Sequence, residues 1–224
     1  MPTTAKPARA TTVDTVIEAI TEGVKDGRYA PGQRLVEADL TQELGVSRGP
    51  LREALGRLAS EGVIEIEPYR GAIVRRLTRA DLEDLFQVRE VLEGEAARLA
   101  AGHVDDSDNR GRLVAAMTKA RELRGRGDVA AYIDENTRFH ELIVEMTESQ
   151  LLARLIPQLQ VHAFRLLFRQ LLMDRAAMEQ SIAEHEAVVE AVLAGDGRAA
   201  ERAMRRHVRR SGEQALRAGA RYLA

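Results

Sequence analysis

The chain has 224 residues, 45% of them hydrophobic and 30% charged, and its formal net charge is −2. That length fits one large domain or two modest ones, and the near-neutral charge does not by itself indicate a nucleic-acid partner. The absence of cysteine excludes disulfides, thiolate metal ligands and cysteine nucleophiles, and the absence of an apolar run of about 18 residues excludes a membrane-spanning helix, so a cytoplasmic protein is expected.

The first part of the chain predicts a short arm, three helices and two strands. Residues 1–10 are small, polar and weakly basic, which predicts a disordered arm. Apolar residues at helical spacing follow, and Pro31 with Gly32 breaks the first helix. Gly45 is expected to end the second helix, and Ser47 is a good N-cap for the third. The expected elements are helices at 12–29, 36–44 and 47–62 and strands at 63–67 and 72–74.

From residue 78 onward the pattern predicts helices only. Thr78 and Asp81 form a capping pair for a long helix that runs to about residue 101. We expect the inner side of this helix to carry Leu82, Leu85, Val88, Leu92 and Leu99. Further helices are predicted at 108–126, 129–147, 150–171, 175–194 and 197–218.

Three helices followed by a two-stranded wing make the winged helix-turn-helix plan, in which the third helix enters the major groove of DNA. We therefore predict a mainly α protein with a winged helix-turn-helix domain at 11–77 and a helical bundle at 78–224. Residues 48–57 carry three Arg against one acid, and residues 70–79 carry four Arg and no acid. Such local patches matter more for DNA binding than the net charge does.

The predicted DNA contacts lie on the third helix and on the wing. Ser47, Arg48 and Arg52 lie on the first turns of that helix, and the two arginines share a face because they are one turn apart. Arg pairs with a guanine edge or clamps a phosphate. The wing turn at Arg70 and Gly71 is expected to reach the minor groove or the DNA backbone. The alternative is that the two helix arginines are ordinary solvated charges.

This part of the chain resembles the GntR family of bacterial regulators. The resemblance is carried by segments 31–35, 44–55, 58–62 and 68–71. It implies dimeric binding to a palindromic DNA operator, with Arg48, Arg52 and Gly71 at the DNA-contacting positions. Arg34 lies in the first matching segment and is added to the predicted contacts. Gly49 departs from the family, which usually has Thr or another hydroxyl residue there.

Three histidines of the helical part are expected to face its interior. His140 follows Asn136 by one turn on the same face, His185 lies beside valines, and His207 lies beside small and apolar residues. Imidazoles that converge from three helices can surround one ion, and they suit zinc, nickel, copper, iron or manganese. The alternative for each histidine is a hydrogen-bonded residue of the core.

Arg89 and Glu93 are one turn apart on the long helix. One interpretation is an intrahelical salt bridge worth a few tenths of a kcal/mol. The other is that Arg89 faces a cavity and pairs with the carboxylate of an effector molecule. The sequence leaves both open.

Residues 78–218 resemble the FCD ligand-binding domain of the FadR branch of the same family. The resemblance is carried by segments 88–93, 136–140, 184–185 and 195–196 and by His207. It implies that Asn136, His140, His185 and His207 bind a divalent transition metal, with zinc or nickel expected. It also implies a small organic acid as effector, which binds the metal and meets Arg89 and Glu93. Asp is common in the family where Asn136 stands.

Three other functions remain as alternatives. A three-histidine site can activate water for catalysis, but the chain has no HExxH, GxSxG, P-loop or dinucleotide fingerprint, so we do not expect an enzyme. In a second alternative the metal is itself the signal or is purely structural. In a third the domain senses an acyl-CoA, as in relatives that lack the metal, and the histidines argue against this.

Overall fold

The computed structural model of the chain describes residues 11–76, 78–159 and 174–219. These residues form two units, one that ends at Arg76 and one that contains all later described residues. The arm predicted at 1–10, the end of the helix predicted at 150–171 and the last five residues lie outside the described ranges. Within the described residues, no helix combines the length and the apolar composition needed to cross a membrane.

The first unit contains three helices and a small antiparallel sheet. Helices α1, α2 and α3 span Thr12–Lys25, Glu37–Leu44 and Arg48–Ser60, and strands β1, β2 and β3 span Arg34–Leu35, Ile64–Glu67 and Gly71–Val74. The strand order is β1-β3-β2, and every pairing is antiparallel. The sequence predicted only the last two strands. Strand β1 has two residues, too few to show a periodic pattern, and it forms because Leu35 is buried beside its partner Ala72.

Helix α1 is shorter than the sequence predicted. Thr11 and Asp14 form a capping box at its start, and it ends at Lys25 rather than near residue 29. Gly27 has a φ of 81°, so the chain turns away, and Tyr29 folds back with its ring against Gly23. The Tyr29 hydroxyl donates a 2.8 Å hydrogen bond to Glu43. Tyr29 is therefore buried although it lies outside the helix.

One hydrophobic core holds the first unit together. It joins the inner faces of the three helices to the sheet. Its most deeply buried members are Val16, Ile20, Leu40, Leu51, Leu58, Val63, Ile64 and Val74. Because the inner face of α3 is fixed in this core, its opposite face and its first turn are directed to solvent.

The second unit consists of six helices among the described residues. They are α4 (Arg79–Gly102), α5 (Asn109–Arg126), α6 (Val129–Glu145), α7 (Gln150–Leu159), α8 (Arg175–Leu193) and α9 (Gly197–Gly219). Thr78 and Asp81 form the predicted capping box of α4, and Asp128 and Asp174 cap α6 and α8 through their side chains. The predicted helix 129–147 ends at Glu145, two residues early.

The buried face of α4 differs from the leucine face that the sequence predicted. Of the five expected inner residues only Leu82 is buried, and Val88 is 46% exposed. The buried residues instead include Phe86, Arg89, Glu93, Gly94, Ala96, Ala97 and Ala100. A Cβ added at Gly94 would lie 2.6 Å from Cγ of Arg205 on α9. Small residues thus let α9 pack closely on this face, which places polar side chains of α4 inside.

Candidate DNA-binding surface and metal centre

The turn between α2 and α3 has the geometry that presents a recognition helix. Gly45 ends α2 in the left-handed region, with φ 65°, and Ser47 occupies the N-cap position of α3 with an extended backbone. The Ser47 hydroxyl makes no capping hydrogen bond to the described helix, so the expected side-chain cap is absent. A Cβ added at Gly49 would meet nothing within 4 Å, so the first turn of α3 is open to a ligand.

Both predicted arginines of the recognition helix reach solvent. Leu51 and Leu55 fix the inner face of α3, while Arg48 and Arg52 are exposed. Arg52 Nε lies 2.9 Å from a carboxylate oxygen of Glu37, and its side chain is 65% exposed. An exposed pair of this kind contributes little to stability, so a phosphate or a guanine can replace Glu37 at small cost.

The sheet places the remaining predicted contacts at its edge and at its tip. Arg34 is exposed on β1, where it pairs in register with Ile73. Arg70 and Gly71 lie at the hairpin tip, and Arg70 Nη1 lies 2.7 Å from Glu67. Gly71 has a φ of 79°, which favours glycine, and a Cβ there would have open space around it. The sheet therefore presents Arg70 at the tip of the hairpin and Arg34 on the edge strand β1.

Three histidines from three helices converge in the second unit. His140 lies on α6, His185 on α8 and His207 on α9, and all three are buried. Nε2 of His207 lies 3.1 Å from Nε2 of His185 and 3.3 Å from Nε2 of His140. Asn136 lies one turn before His140 and is half-buried. The structure thus brings together the histidines that the sequence placed on separate inward faces.

The second nitrogen of each ring has its own partner. Nδ1 of His140 lies 2.6 Å from Oε2 of Glu93. Nδ1 of His207 lies 2.9 Å from Glu184, and Nδ1 of His185 lies 3.4 Å from the hydroxyl of the fully buried Tyr132. An acceptor close to Nδ1 favours the tautomer that leaves the Nε2 lone pair free, as is usual for metal-binding histidines.

Sequence reasoning missed most of these partners. It named Glu93 as a partner of Arg89 and as an effector contact but not as a partner of His140, gave Glu184 no role in orienting a histidine, and did not consider Tyr132. Spacing along one helix cannot show contacts between α4, α8 and α9. Tyr132 lies on a different helix from His185, so no pattern in the sequence around either residue indicates their contact.

The donor set fits a divalent transition metal. Metal–nitrogen bonds of about 2.0–2.1 Å place neighbouring ligand nitrogens roughly 2.9–3.4 Å apart in octahedral or tetrahedral geometry. The distances of 3.1 and 3.3 Å lie inside that range. Three converging lone pairs repel one another without a cation between them, and neutral imidazole suits transition metals rather than calcium or magnesium. These residues therefore form a possible three-histidine metal site.

Burial and the neighbouring charges favour the ligand forms of these side chains. Burial, with the two nearby imidazoles, holds the pKa of His185 well below its usual range, and burial also lowers the pKa of His207. Burial alone would raise the pKa of Glu93, but Arg89 and His140 outweigh it and hold that pKa far below its usual range. The lowered pKa values of His185 and His207 favour the neutral imidazole, which is the form that binds a metal ion.

Arg89 and Glu93 form a buried pair. Arg89 Nε lies 2.7 Å from Oε1 of Glu93, with the side chains 10% and 2% exposed. The guanidinium also lies over the ring of Phe86, 5.1 Å from its centroid. The two side chains therefore form the intrahelical salt bridge of the first interpretation, and they form it inside the unit rather than at its surface. Since Glu93 also contacts His140, Arg89 is connected to the histidine cluster through a single carboxylate.

Comparison with known proteins assigns a family model to each of the two units. The family model described as "Bacterial regulatory proteins, gntR family" matches residues 12–74, and the model described as "FCD domain" matches residues 84–210. A probable D-xylose utilization operon transcriptional repressor of Paenarthrobacter nicotinovorans is 30% identical over 92% of this chain and 89% of its own length. The galactonate operon transcriptional repressor of Escherichia coli is 28% identical over 85% and 90%.

A solved structure shows the same fold. A GntR transcriptional regulator from Rhodococcus sp. RHA1 has a TM-score of 0.72 and 24% identity, covering 92% of this chain and 98% of that one. The relatives are transcription regulators and not enzymes, as the sequence led us to expect. The chain therefore belongs to the gntR family of bacterial regulatory proteins and is a DNA-binding transcription regulator with an FCD domain.

Proposed function

We propose that a small carboxylate, bound beside a divalent metal in the second unit, controls the affinity of this cytoplasmic regulator for its operator. The observation that carries the proposal is the convergence of three buried Nε2 atoms at 3.1–3.3 Å, each ring being oriented by a separate partner at Nδ1. The domains we assign to the two roles are 11–77 for DNA binding and 78–224 for the effector, with residues 1–10 as an arm.

The proposed DNA interface combines the first turn of α3 with the wing. Its residues are Arg34, Ser47, Arg48, Arg52, Arg70 and Gly71. In support, the four arginines are exposed, and the Ser47 hydroxyl is not engaged in capping the described helix. A homodimer would place two such surfaces on a palindromic operator, because protein symmetry and operator symmetry match.

A homodimer also has support in the second unit. Val88 and Val91 on α4 are 46% and 51% exposed, on the face that α9 does not cover. Leu85, Leu92 and Leu99 on the same helix are only half-buried. Together these apolar side chains form a continuous row along one helix, whereas ordinary exposed apolar residues are scattered singly. We therefore assign this row to contact with a second copy of the chain.

The proposed metal ligands are His140, His185 and His207, with Asn136 as a weaker neutral fourth ligand and zinc or nickel as the ion. Three nitrogens from one side leave further positions for an acidic ligand, so the ion would act as a Lewis acid that binds a carboxylate. Arg89, held by Glu93, contributes positive charge close to that position. Galactonate, named for one relative, is a carboxylate of the expected class.

The proposed response runs through α4. Four residues separate this helix from β3 in the chain, and it carries Glu93 against His140. An effector that changes the coordination of the ion would change how α4, α6, α8 and α9 are held together. It would alter DNA affinity only to the extent that it binds one of the two arrangements more tightly.

Fluorescence anisotropy with DNA from upstream of the protein's own gene tests the proposal. Arg52→Ala is expected to weaken binding, whereas Arg121→Ala, which removes a similarly exposed arginine paired with Glu186, is expected to leave it unchanged. Small carboxylates are then added to metal-loaded and metal-stripped protein. If release of the DNA from the protein needs both metal and acid, the proposal is supported. If the metal alone releases the DNA, the ion is itself the signal. If acids release the DNA from metal-stripped protein, the metal has no part in sensing.

A further inference from the structure

The tip of the wing contains a strained residue. The amide of Arg70 donates a 3.2 Å hydrogen bond to the carbonyl of Glu67, which closes a four-residue turn with Pro68 in its second position. Tyr69, in the third position, has a φ of 64°. This pattern fits a type II turn, whose third position normally holds glycine or asparagine because a side-chain Cβ is disfavoured there.

Tyr69 is also fully exposed. Its relative accessibility is 102%, so its ring gains no burial from the described residues. The other described tyrosines behave differently, since Tyr29 and Tyr132 are buried and their hydroxyls are hydrogen-bonded. The positive φ of Tyr69 costs backbone strain, and its exposed ring gains no burial in the free protein that would compensate for that strain. Burial of the ring against a bound partner would supply this compensation.

The surroundings of Tyr69 fit DNA as that partner. Arg70 follows it, with a side chain 65% exposed, and Gly71 leaves open space at the same tip. The Arg70 guanidinium can contact a phosphate, while the neighbouring Tyr69 offers a flat ring with a polar hydroxyl at its end. The minor groove of DNA is about 6 Å wide and exposes acceptor atoms of adenine and thymine on its floor.

We propose that Tyr69 is a specificity-determining residue that enters the minor groove and donates its hydroxyl to N3 of adenine or O2 of thymine, while Arg70 contacts the backbone. The amino group of guanine projects into that groove, so the contact favours A·T over G·C pairs. The inference rests on the wing side of the proposed DNA interface. It adds a base-reading group to a wing whose other predicted residues, Arg70 and Gly71, act through charge and close approach.

Three variants of the intact chain separate this role from folding. Tyr69→Gly relieves the backbone strain, so its thermal midpoint is expected to equal or exceed that of the parent while operator affinity falls tenfold or more. Tyr69→Phe keeps the ring and removes one hydrogen bond, so affinity falls roughly fivefold. Ile66→Ala removes another exposed apolar side chain of the wing, 59% accessible, and is expected to leave affinity unchanged.

The bases under the wing give the second readout. Operator DNA is first selected from a random pool by the parent protein, and A·T pairs at the flanking positions are then replaced by G·C or by inosine·cytosine, which lacks the minor-groove amino group. Replacement by G·C pairs is expected to weaken operator binding by the parent protein but not by the Tyr69 variants. Replacement by inosine·cytosine pairs is expected to leave operator binding by the parent protein unchanged.

Two results would overturn the inference. If Tyr69→Gly binds the operator as tightly as the parent while Arg52→Ala binds it more weakly, Tyr69 has no role and the rest of the interface stands. If the Tyr69 variants are weakened equally on operator and on scrambled DNA, Tyr69 is reduced to a backbone contact.

Discussion

Replacing Glu93 by Gln tests whether the buried carboxylate organises the second unit. Glu93 lies 2.7 Å from Arg89 and 2.6 Å from His140, and its side chain is 2% exposed. Arg79 and Glu83 form a matched pair on the same helix, with the same spacing and a distance of 2.8 Å, but their side chains are 65% and 41% exposed. The two pairs differ mainly in burial.

Burial sets the expected magnitudes. Removing the charge of one partner of a buried ion pair takes a charged contact from the other, here the Arg89 guanidinium, and costs about 3 kcal/mol. For a domain of this size each kcal/mol lowers the melting temperature by about 2–4 °C, so Glu93→Gln should lower it by about 6–12 °C. Glu83→Gln should change it by less than about 2 °C, because an exposed pair is worth about 0.5 kcal/mol.

Differential scanning calorimetry of metal-free protein at neutral pH measures both variants. Equal shifts for Glu93→Gln and Glu83→Gln would refute the argument from burial. The double variant Arg89→Met with Glu93→Leu removes both charges and should recover a large part of the stability, since apolar groups replace a buried pair at little cost. Metal titration of Glu93→Gln should show an affinity about 10–100-fold lower, because His140 no longer has a charged partner.

The other predictions concern the metal, the DNA and pH. Zinc or nickel at 100 times its dissociation constant should stabilise the protein by about 2.7 kcal/mol; His207→Ala should abolish that calorimetric shift, and Arg121→Ala, which removes an exposed arginine paired with Glu186, should not. Arg52→Ala should reduce the slope of log affinity against log salt by about one for each phosphate that Arg52 neutralises, and an unchanged slope would remove Arg52 from the phosphate contacts. Burial, with the Glu43 hydrogen bond, raises the pKa of Tyr29 to about 12, above its usual value of 10. The stability that Tyr29 contributes should therefore be complete below pH 10 and disappear as pH rises toward 12, so the difference in urea midpoint from Tyr29→Phe should shrink over that range.

Local signals were enough to predict most of the first unit. Gly45 and Ser47 mark the turn before the recognition helix, and both lie where the sequence placed them. The strands of the wing follow from alternation and from the turn residues between them. Strand β1 was missed because two residues carry no periodicity. The proposed role of Tyr69 was missed because only a turn was expected there, and no sequence rule predicts that an aromatic side chain in a turn is fully exposed.

The histidine cluster was predictable only as three separate inward faces. His185 and His207 lie beside apolar residues on their own helices, which indicated burial, whereas His140 was placed by its spacing from Asn136. That their Nε2 atoms meet at 3.1–3.3 Å depends on how α6, α8 and α9 pack, which periodicity does not describe. The resemblance to FCD domains supplied that information.

The Arg89 and Glu93 pair shows why such information is needed. Arg79 and Glu83 are the same residue types at the same spacing on the same helix, yet of these two pairs only Arg89 with Glu93 is buried. The difference comes from small residues, since Gly94 and the alanines after it admit α9 to that face of α4. Leucines were expected to mark the inner face because they are larger and more apolar. Close helix packing selects small residues instead, and the leucines of α4 then remain available for a surface outside the bundle.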